Sequence, residues 1–283
     1  MIKNFIYLDG YKLYSLSSQV FEGLTEYLIN TNYQEEKNKD SQEGPLFSKQ
    51  LLVDVMKDGK KFEEKKHLHD YTFIQFENYL TANNMLTDIN SIEDDKIIEH
   101  CIKSPFIKIK GKVTFNDMES IQNTLKDFNK IGKALAHMQI VNNPTLKNKN
   151  LDSYAKELNL SHDPKFLENL NILLDFGFNK QLEIQIRQNN YLFSSNIKRE
   201  YLRTDEELLI KRYARETERE FVIFGIVTQC QNIEKEPIKQ KNGNTPKEAM
   251  MEFVSFITNM EAQFNGKLHN EIIIDPIAIY TEL

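Results

Sequence analysis

The stretch FIYLDGYKLYSLSSQV, residues 5–20, predicts a strand that turns directly into a helix. Residues 5–8 form an apolar run of strand length, and Asp9-Gly10 is a turn signal. Apolar residues then recur every three or four positions, at Leu13, Leu16, Val20, Leu24 and Leu28. This spacing predicts an amphipathic helix that ends near Asn30. Because ordered structure is predicted from residue 5, we expect no signal or transit peptide.

Five more segments predict strands. Over residues 106–115, isoleucine and valine alternate with lysine, which favours a half-buried strand with lysines on its outer face. The pair Asn189-Asn190 joins two short alternating segments and predicts a β-hairpin. Residues 221–228 are continuously apolar, so we expect a central strand there. Pro276 interrupts the last apolar segment and predicts an edge or bulged strand, because proline cannot donate a ladder hydrogen bond.

Capping signals predict the starts of five helices. They are Asp70 before residues 71–83, Asn116 with Glu119, Asp163 with Pro164, Thr204 with Glu207, and Thr245 with Glu248. In each case a side-chain oxygen accepts a hydrogen bond from a free amide of the first helical turn. The helices that follow Asn116 and Thr245 are long and carry apolar residues at helical spacing. We expect those apolar faces to be buried.

These segments together indicate an α+β fold, with two lobes of partly antiparallel sheet packed by long amphipathic helices. A chain of 283 residues allows one large domain or two smaller ones. Residues 141–150, VNNPTLKNKN, are polar and contain proline, so we place the lobe boundary there. The predicted lobes are residues 1–140 and 151–283, and a single domain is the alternative.

The composition is that of an ordinary globular protein, with 40% hydrophobic and 28% charged residues. No run approaches the ~20 apolar residues that span a bilayer, so we expect no membrane insertion. Cys101 and Cys230 are the only cysteines and lack CxxC spacing, which suits a reducing compartment and predicts a cytoplasmic protein. The net charge of -6 disfavours binding along a nucleic-acid backbone, since such proteins usually carry a basic excess.

One cluster combines residue types that bind metals: His67, His69 and Asp70. On an extended segment the two imidazoles would share a face beside the carboxylate, and such a set suits zinc or iron. The competing interpretation is a Lys-rich loop in which Asp70 is only the helix cap. We predict no bound cofactor. The alternative is a metal-dependent hydrolase or nuclease in which these three residues hold a transition metal.

Two groups of cations are candidates for nucleic-acid contact. They are Lys108, Lys110 and Lys112 on the predicted strand, and Arg199, Arg203, Arg212 and Arg215 in segment 198–219. Tyrosines among the arginines could stack on bases, whereas the carboxylates mixed with them favour a solvated helix with internal ion pairs. Lysines on a strand also oppose edge-to-edge aggregation. A nucleic-acid-binding protein is therefore a second alternative.

No phosphate-binding loop, dinucleotide fingerprint, HExxH motif or nucleophile elbow occurs in the sequence, which disfavours nucleotide-dependent enzymes and common hydrolases. Positions 5–9, 13, 15, 18, 19 and 21–24 resemble the opening of an uncharacterised bacterial family, a domain of unknown function. The resemblance implies a bacterial protein and brings no activity. We predict a non-enzymatic protein-interaction or regulatory component that binds another protein or a copy of itself. We expect it to be accessory to a stress or antiviral defence system.

Overall fold

A computed structural model describes residues 2–21, 62–231 and 245–283. The strands in these ranges are β1 (Lys3–Leu8), β2 (Leu86–Asp88), β3 (Phe106–Asp117), β4 (Leu182–Gln188), β5 (Tyr191–Ile197), β6 (Glu216–Gln229) and β7 (Glu271–Glu282). The α-helices are α1 (Gly10–Val20), α2 (Phe62–Ala82), α3 (Ile97–Lys103), α4 (Met118–Lys126), α5 (Phe128–Asn142), α6 (Leu151–Glu157), α7 (Pro164–Phe178), α8 (Glu206–Tyr213) and α9 (Pro246–Asn265). The part of the predicted first helix beyond residue 21 lies outside the described residues.

The described strands form one sheet, five strands of which close into a barrel. The order is β1-β7-β5-β4-β3-β2, and β6 pairs with both β3 and β7, which closes the ring. β6 is antiparallel to both neighbours, as β1 is to β7, whereas β5 is parallel to β7 and β2 is parallel to β3. The α+β class and the central position of β6 are confirmed. The described strands belong to a single sheet rather than to one sheet per lobe.

β7 connects the sheet because it pairs with three other strands. Residues 271–273 pair with β5, residues 278–282 pair with β1, and β6 pairs along most of the strand. The register shifts beside Gly225, which lies opposite Pro276. A Cβ on Gly225 would lie 2.4 Å from the Asp275 carbonyl oxygen, so only glycine fits at this close approach. The predicted irregularity at the proline is confirmed, and β7 is not an edge strand.

A buried apolar cluster attaches α1 and α2 to the barrel. Its members are Phe5, Leu8, Leu13, Phe73, Phe76, Leu80, Phe106, Val222, Phe224, Ile277, Ala278 and Tyr280. The Phe73 ring is central, since its edge-to-face contacts reach Phe224 at 5.0 Å and Phe5 at 5.3 Å between centroids. Such pairs add to the free energy of burial because positive ring edges meet negative ring faces. The strand-then-helix prediction for residues 5–20 is therefore confirmed up to the end of α1 at Val20.

The helix predicted over residues 71–83 begins much earlier than expected. α2 begins at Phe62 and ends at Ala82, so Asp70 lies inside the helix. The prediction that Asp70 is an N-cap is wrong. The sequence pattern was ambiguous, because an aspartate before an apolar run occurs both at the start of a helix and within one.

Two other helices are capped by an aspartate next to the predicted residue. Asp117 rather than Asn116 caps α4, and Asp205 rather than Thr204 caps α8. An ionised carboxylate accepts amide hydrogen bonds more strongly than a neutral side chain does, which favours the aspartate at each position. The long helix predicted after Asn116 is two helices, α4 and α5, that meet at Asp127. The capping box before α9 is confirmed.

The described chain divides into two compact units, each made of separate segments. The barrel unit comprises the described residues of 1–114, with Ile184–Gln231 and Asn270–Leu283. The helical unit comprises Phe115–Glu183 with the described residues of 232–269. The predicted boundary, residues 141–150, lies within the helical unit, where α5 ends and before α6 begins. The compact units therefore differ from the sequential lobes that the sequence suggested.

Candidate functional site

The residues predicted to bind a metal lie on α2 rather than on an extended segment. Helical positions are ~100° apart around the axis, so positions 67 and 69 are about 200° apart. The extended conformation that would place His67 and His69 on one face is therefore wrong. The His69 ring packs edge-to-face on Tyr14, 5.0 Å between centroids. It also lies against Gly10, where an added Cβ would be 2.8 Å from the ring, so His69 fixes α2 to the start of α1.

Asp70 forms an ion pair with Arg203, and the distance between its Oδ1 and the Arg203 Nη2 is 2.8 Å. Burial lowers the pKa of Arg203, and the Asp70 charge opposes that change. The Arg203 amide also donates a hydrogen bond to the Ile6 carbonyl oxygen. Asp70 is thus engaged in joining α2 to the segment after β5. Within the described ranges, no three His, Cys, Asp or Glu residues are grouped to hold a metal ion, and the metal site stays a prediction.

Four of the seven candidate nucleic-acid cations contact carboxylates. The pairs are Lys108 with Asp88 at 3.3 Å, Lys110 with Glu282 at 2.8 Å, Arg199 with Glu206, and Arg203 with Asp70. Lys112, Arg212 and Arg215 are exposed. A cation that is already paired gains less from a phosphate, because it must first give up its carboxylate. Nucleic-acid contact by these residues stays a prediction.

A buried polar network that sequence reasoning missed lies in the barrel unit. The Lys3 ammonium contacts the Glu77 carboxylate and donates to the Tyr280 hydroxyl at 3.2 Å. That hydroxyl donates to Glu77 at 3.1 Å. Burial lowers the pKa of Lys3 to about 8, and the charge of Lys108 contributes. The three side chains satisfy one another within the apolar cluster, so the network holds β1, α2 and β7 together.

Tyr7 makes the stability of the barrel unit sensitive to alkaline pH. This side chain is 1% exposed, and burial, followed by the charge of Asp9, raises its pKa above the usual value of 10.0. Above pH 10 the unfolded chain therefore loses this proton while the folded chain keeps it, and stability falls. We expect the folded protein to lose about 1 kcal/mol per pH unit there relative to the Tyr7→Phe variant, which has no proton to lose.

Urea unfolding followed by circular dichroism at pH 8 to 11.5 measures this difference. At pH 8 the Tyr7→Phe variant should be the less stable protein. It lacks the hydroxyl group, so the backbone of Lys198 loses its hydrogen bond to Tyr7. The difference in free energy of unfolding between the two proteins should then decrease as the pH rises. A stability difference that stays constant over the whole range would contradict the prediction.

The two cysteines lie at the same end of the barrel, although they are far apart in the sequence. β3 and β6 are antiparallel with Phe106 opposite Ile226, so the chain before β3 and the chain after β6 meet at one end. Cys101 and Cys230 are there, both buried, and they form no disulfide. Burial raises the pKa of Cys101 to about 12, and Cys230 adds to the rise. A thiol held in its protonated form is a poor nucleophile and a poor metal ligand.

Three helices of the helical unit expose large apolar side chains. They are Ile131, Leu135, Met138 and Val141 on α5, Phe166, Ile172, Leu173 and Phe176 on α7, and Met250, Met251, Phe253, Val254 and Phe256 on α9. We call these thirteen residues the apolar faces. Their exposed fractions run from 45% to 70%, so each offers much of its surface to solvent. No helix in the described ranges is long and apolar enough to cross a membrane.

The apolar faces follow the helical period. At ~100° per residue, the four residues on α5 fall within an arc of about 120°, and so do the four on α7. On α9, Met250, Phe253 and Val254 share one side, and Met251 and Phe256 flank it. A regular stripe of this kind is the pattern of a helix that buries one side against another element.

The core of the helical unit uses the far side of α5 and only the last turn of α9. Gly132 and Ala136, on the far side of α5, are buried against α6 beside Tyr154 and Ala155. α9 meets α7 near its end, where Phe264 lies beside Phe176 and Phe178 and covers Gly177. The sequence predicts burial along the whole face of α9, and this is wrong for its first half. The apolar residues there have no covering element within the described chain.

A family model described as Domain of unknown function (DUF6414) matches residues 2–280, which is nearly the whole chain. The resemblance seen at residues 5–24 therefore extends over both the barrel unit and the helical unit. No curated protein and no solved structure shows significant similarity to the chain.

Proposed function

We propose that the chain, which belongs to the family Domain of unknown function (DUF6414), is a non-enzymatic protein-interaction component that binds its partner through the apolar faces of α5, α7 and α9. The observation that carries the proposal is that these stripes are exposed although they have the spacing of buried ones. The partner is another protein or a second copy of the chain.

The size of the exposed surface supports this proposal. Thirteen half-exposed side chains of this size offer on the order of 1,000 Å² of apolar surface, since a large aromatic covers ~150–250 Å². The largest apolar patch of a soluble monomer is usually about 300–600 Å². Each partner in a standard protein interface contributes ~800 Å². The apolar faces together thus offer as much surface as one partner contributes to an interface.

The cellular setting belongs to the same proposal. We place the protein in the cytoplasm of a bacterium, and the absence of a disulfide between Cys101 and Cys230 suits the reducing conditions there. A place in a stress or antiviral defence system stays a prediction. So do the two alternatives, a metal-dependent hydrolase or nuclease and a nucleic-acid-binding protein, because no contact in the described chain favours them.

Site-specific photo-crosslinking in cells tests the proposal. A photoreactive phenylalanine analogue placed at Leu135, Leu173 or Phe256 should form crosslinks to a polypeptide that mass spectrometry then identifies. These positions are on three different helices and are each about half exposed or more. The same analogue at Tyr11 or Ile102, exposed residues of the barrel unit, is the matched control.

We expect crosslinks from the three helical positions and few from the controls. A second expected result is that Leu173→Gln, introduced beside the Leu135 analogue, lowers the crosslinked fraction while the melting temperature stays unchanged. If the helical positions yield no more crosslinks than Tyr11 and Ile102, the apolar faces are not an interface and the proposal falls.

A further inference from the structure

We infer that α9 pairs in antiparallel orientation with α9 of a second copy of this chain, about a two-fold axis at Val254. This inference rests on the proposed function and names the partner for one of the three apolar faces. It commits to a homodimer, and the arguments are the charge pattern along α9 and the area available.

The exposed side of α9 carries opposite charges at equal distances from Val254. Lys247, Val254 and Glu261 are seven residues apart, which is two helical turns, so the three lie on one side of the helix. Met250 and Ile257 lie on the same side, about one turn before and one turn after Val254. This side of the helix therefore has a cation near its start, an apolar residue in its middle and an anion near its end, at equal spacing.

The two terminal charges have no partners of their own among the residues that the structure describes. Lys247 and Glu261 are exposed, and within the described chain neither has a hydrogen bond or an ion pair. Other charged residues of the helical unit are paired, as Lys133 is with Asp152 at 2.7 Å. Lys247 and Glu261 are thus free to pair with groups on another molecule.

Antiparallel pairing about Val254 satisfies both charges at once. A two-fold axis there brings Lys247 of each copy opposite Glu261 of the other, which gives two equivalent ion pairs at the ends of the interface. A parallel arrangement would instead place Lys247 opposite Lys247 and Glu261 opposite Glu261, and both contacts would be repulsive. The charges therefore select the orientation as well as the partner.

The available area is sufficient for a stable dimer. The face of α9 borders that of α7, because Phe176 of α7 contacts Phe264 of α9 at 5.6 Å between ring centroids. Nine of the thirteen side chains lie on these two helices and offer on the order of 700 Å² per copy, which is close to the ~800 Å² that each partner contributes to a standard interface. An interface of one turn of helix would fall well short of that.

Charge reversal with sedimentation equilibrium of the full chain tests the inference. Lys247→Glu and Glu261→Lys each turn both ion pairs into repulsive contacts, and we expect each to weaken self-association about tenfold. The double variant restores opposite charges in reversed order and should dimerise like the original protein. Glu252→Lys is the matched control, since it makes the same charge change as Glu261→Lys on the other side of the helix and should leave self-association unchanged.

A crosslink at the axis is the second measurement. Val254→Cys should form an intermolecular disulfide under oxidised glutathione, whereas Asn259→Cys, on the opposite side of α9, should not. A monomer at all concentrations overturns the inference, and so does a dimer that neither responds to the charge reversals nor crosslinks through residue 254. Photo-crosslinks from the apolar faces to a different protein, with a monomeric chain, would overturn this inference alone and leave the proposed function standing. The loss of all crosslinks would overturn both.

Discussion

Gly132→Ala is expected to destabilise the helical unit by about 3 kcal/mol, although alanine is the better helix former. A Cβ at this position would lie 1.7 Å from the Leu160 carbonyl oxygen and 2.7 Å from its carbonyl carbon. These are backbone atoms, so they cannot rotate away as a side chain can. The Leu160 amide is also held by the Ala155 carbonyl oxygen at 2.8 Å. The added methyl group must therefore separate α5 from the end of α6.

Urea unfolding followed by circular dichroism at 222 nm measures this effect, with Ala134→Gly as the control. Ala134 is exposed on the same helix, so its replacement should cost only the ~1 kcal/mol difference in helix propensity. An exposed Gly→Ala change would normally raise stability by a similar amount. A Gly132→Ala protein that is more stable than the original would show that α5 and the Leu160 backbone do not approach closely.

Glu77→Ala is expected to destabilise the barrel unit by about 3–5 kcal/mol. Glu77 is 8% exposed and accepts from both the Lys3 ammonium and the Tyr280 hydroxyl. Without it the ammonium is left among the rings of Phe73 and Tyr280, with no described carboxylate in direct contact. Most of this loss of stability comes from leaving a buried charge without its partner, and only a smaller part is the net contribution of the ion pair to folding.

A double-mutant cycle distinguishes these two contributions. The variant Lys3→Met/Glu77→Leu removes both charges and fills the space with apolar atoms, so it should regain most of the lost stability. Glu93→Ala is a matched control, because Glu93 pairs with Lys96 on the surface and its loss should cost less than 1 kcal/mol. Equal losses for Glu77→Ala and Glu93→Ala would mean that the network is not buried in solution.

Local signals in the sequence predicted much of the fold. The capping box of Thr245 and Glu248, the turn at Asn189-Asn190 and the apolar run of β6 each depend on neighbours within a few residues, and each is confirmed. Asn189 adopts a positive φ of 52°, as this short turn requires, which asparagine tolerates better than most residues. These elements form as predicted because the physical cause is contained in the segment itself.

Long-range partners could not be predicted in the same way. Asp70 looks like a cap in sequence, but its partner is Arg203, 133 residues away. Glu77 carries no local mark that distinguishes it from an exposed glutamate, since its partners belong to the first and last strands. The apolar face of α9 was visible as a pattern, but a pattern does not state what covers it. The candidate interaction surface could therefore be identified only from the fold, in which the helical unit leaves this face of α9 exposed.

The pairing of β7 has a consequence for the order in which the barrel unit can fold. β1 and β7 pair through residues such as Lys3 and Glu282, which are almost the whole chain apart, and the ring of β3, β4, β5 and β6 closes only through β7. Contacts so distant in sequence make folding slow, because a large loop must close before they form. During synthesis β5 and β6 are therefore made before the strand that pairs with both of them, and each keeps an open edge until β7 follows. Since β7 completes the hydrogen bonding of β1, β5 and β6, the nascent protein is exposed to misassociation through their open edges before β7 is made.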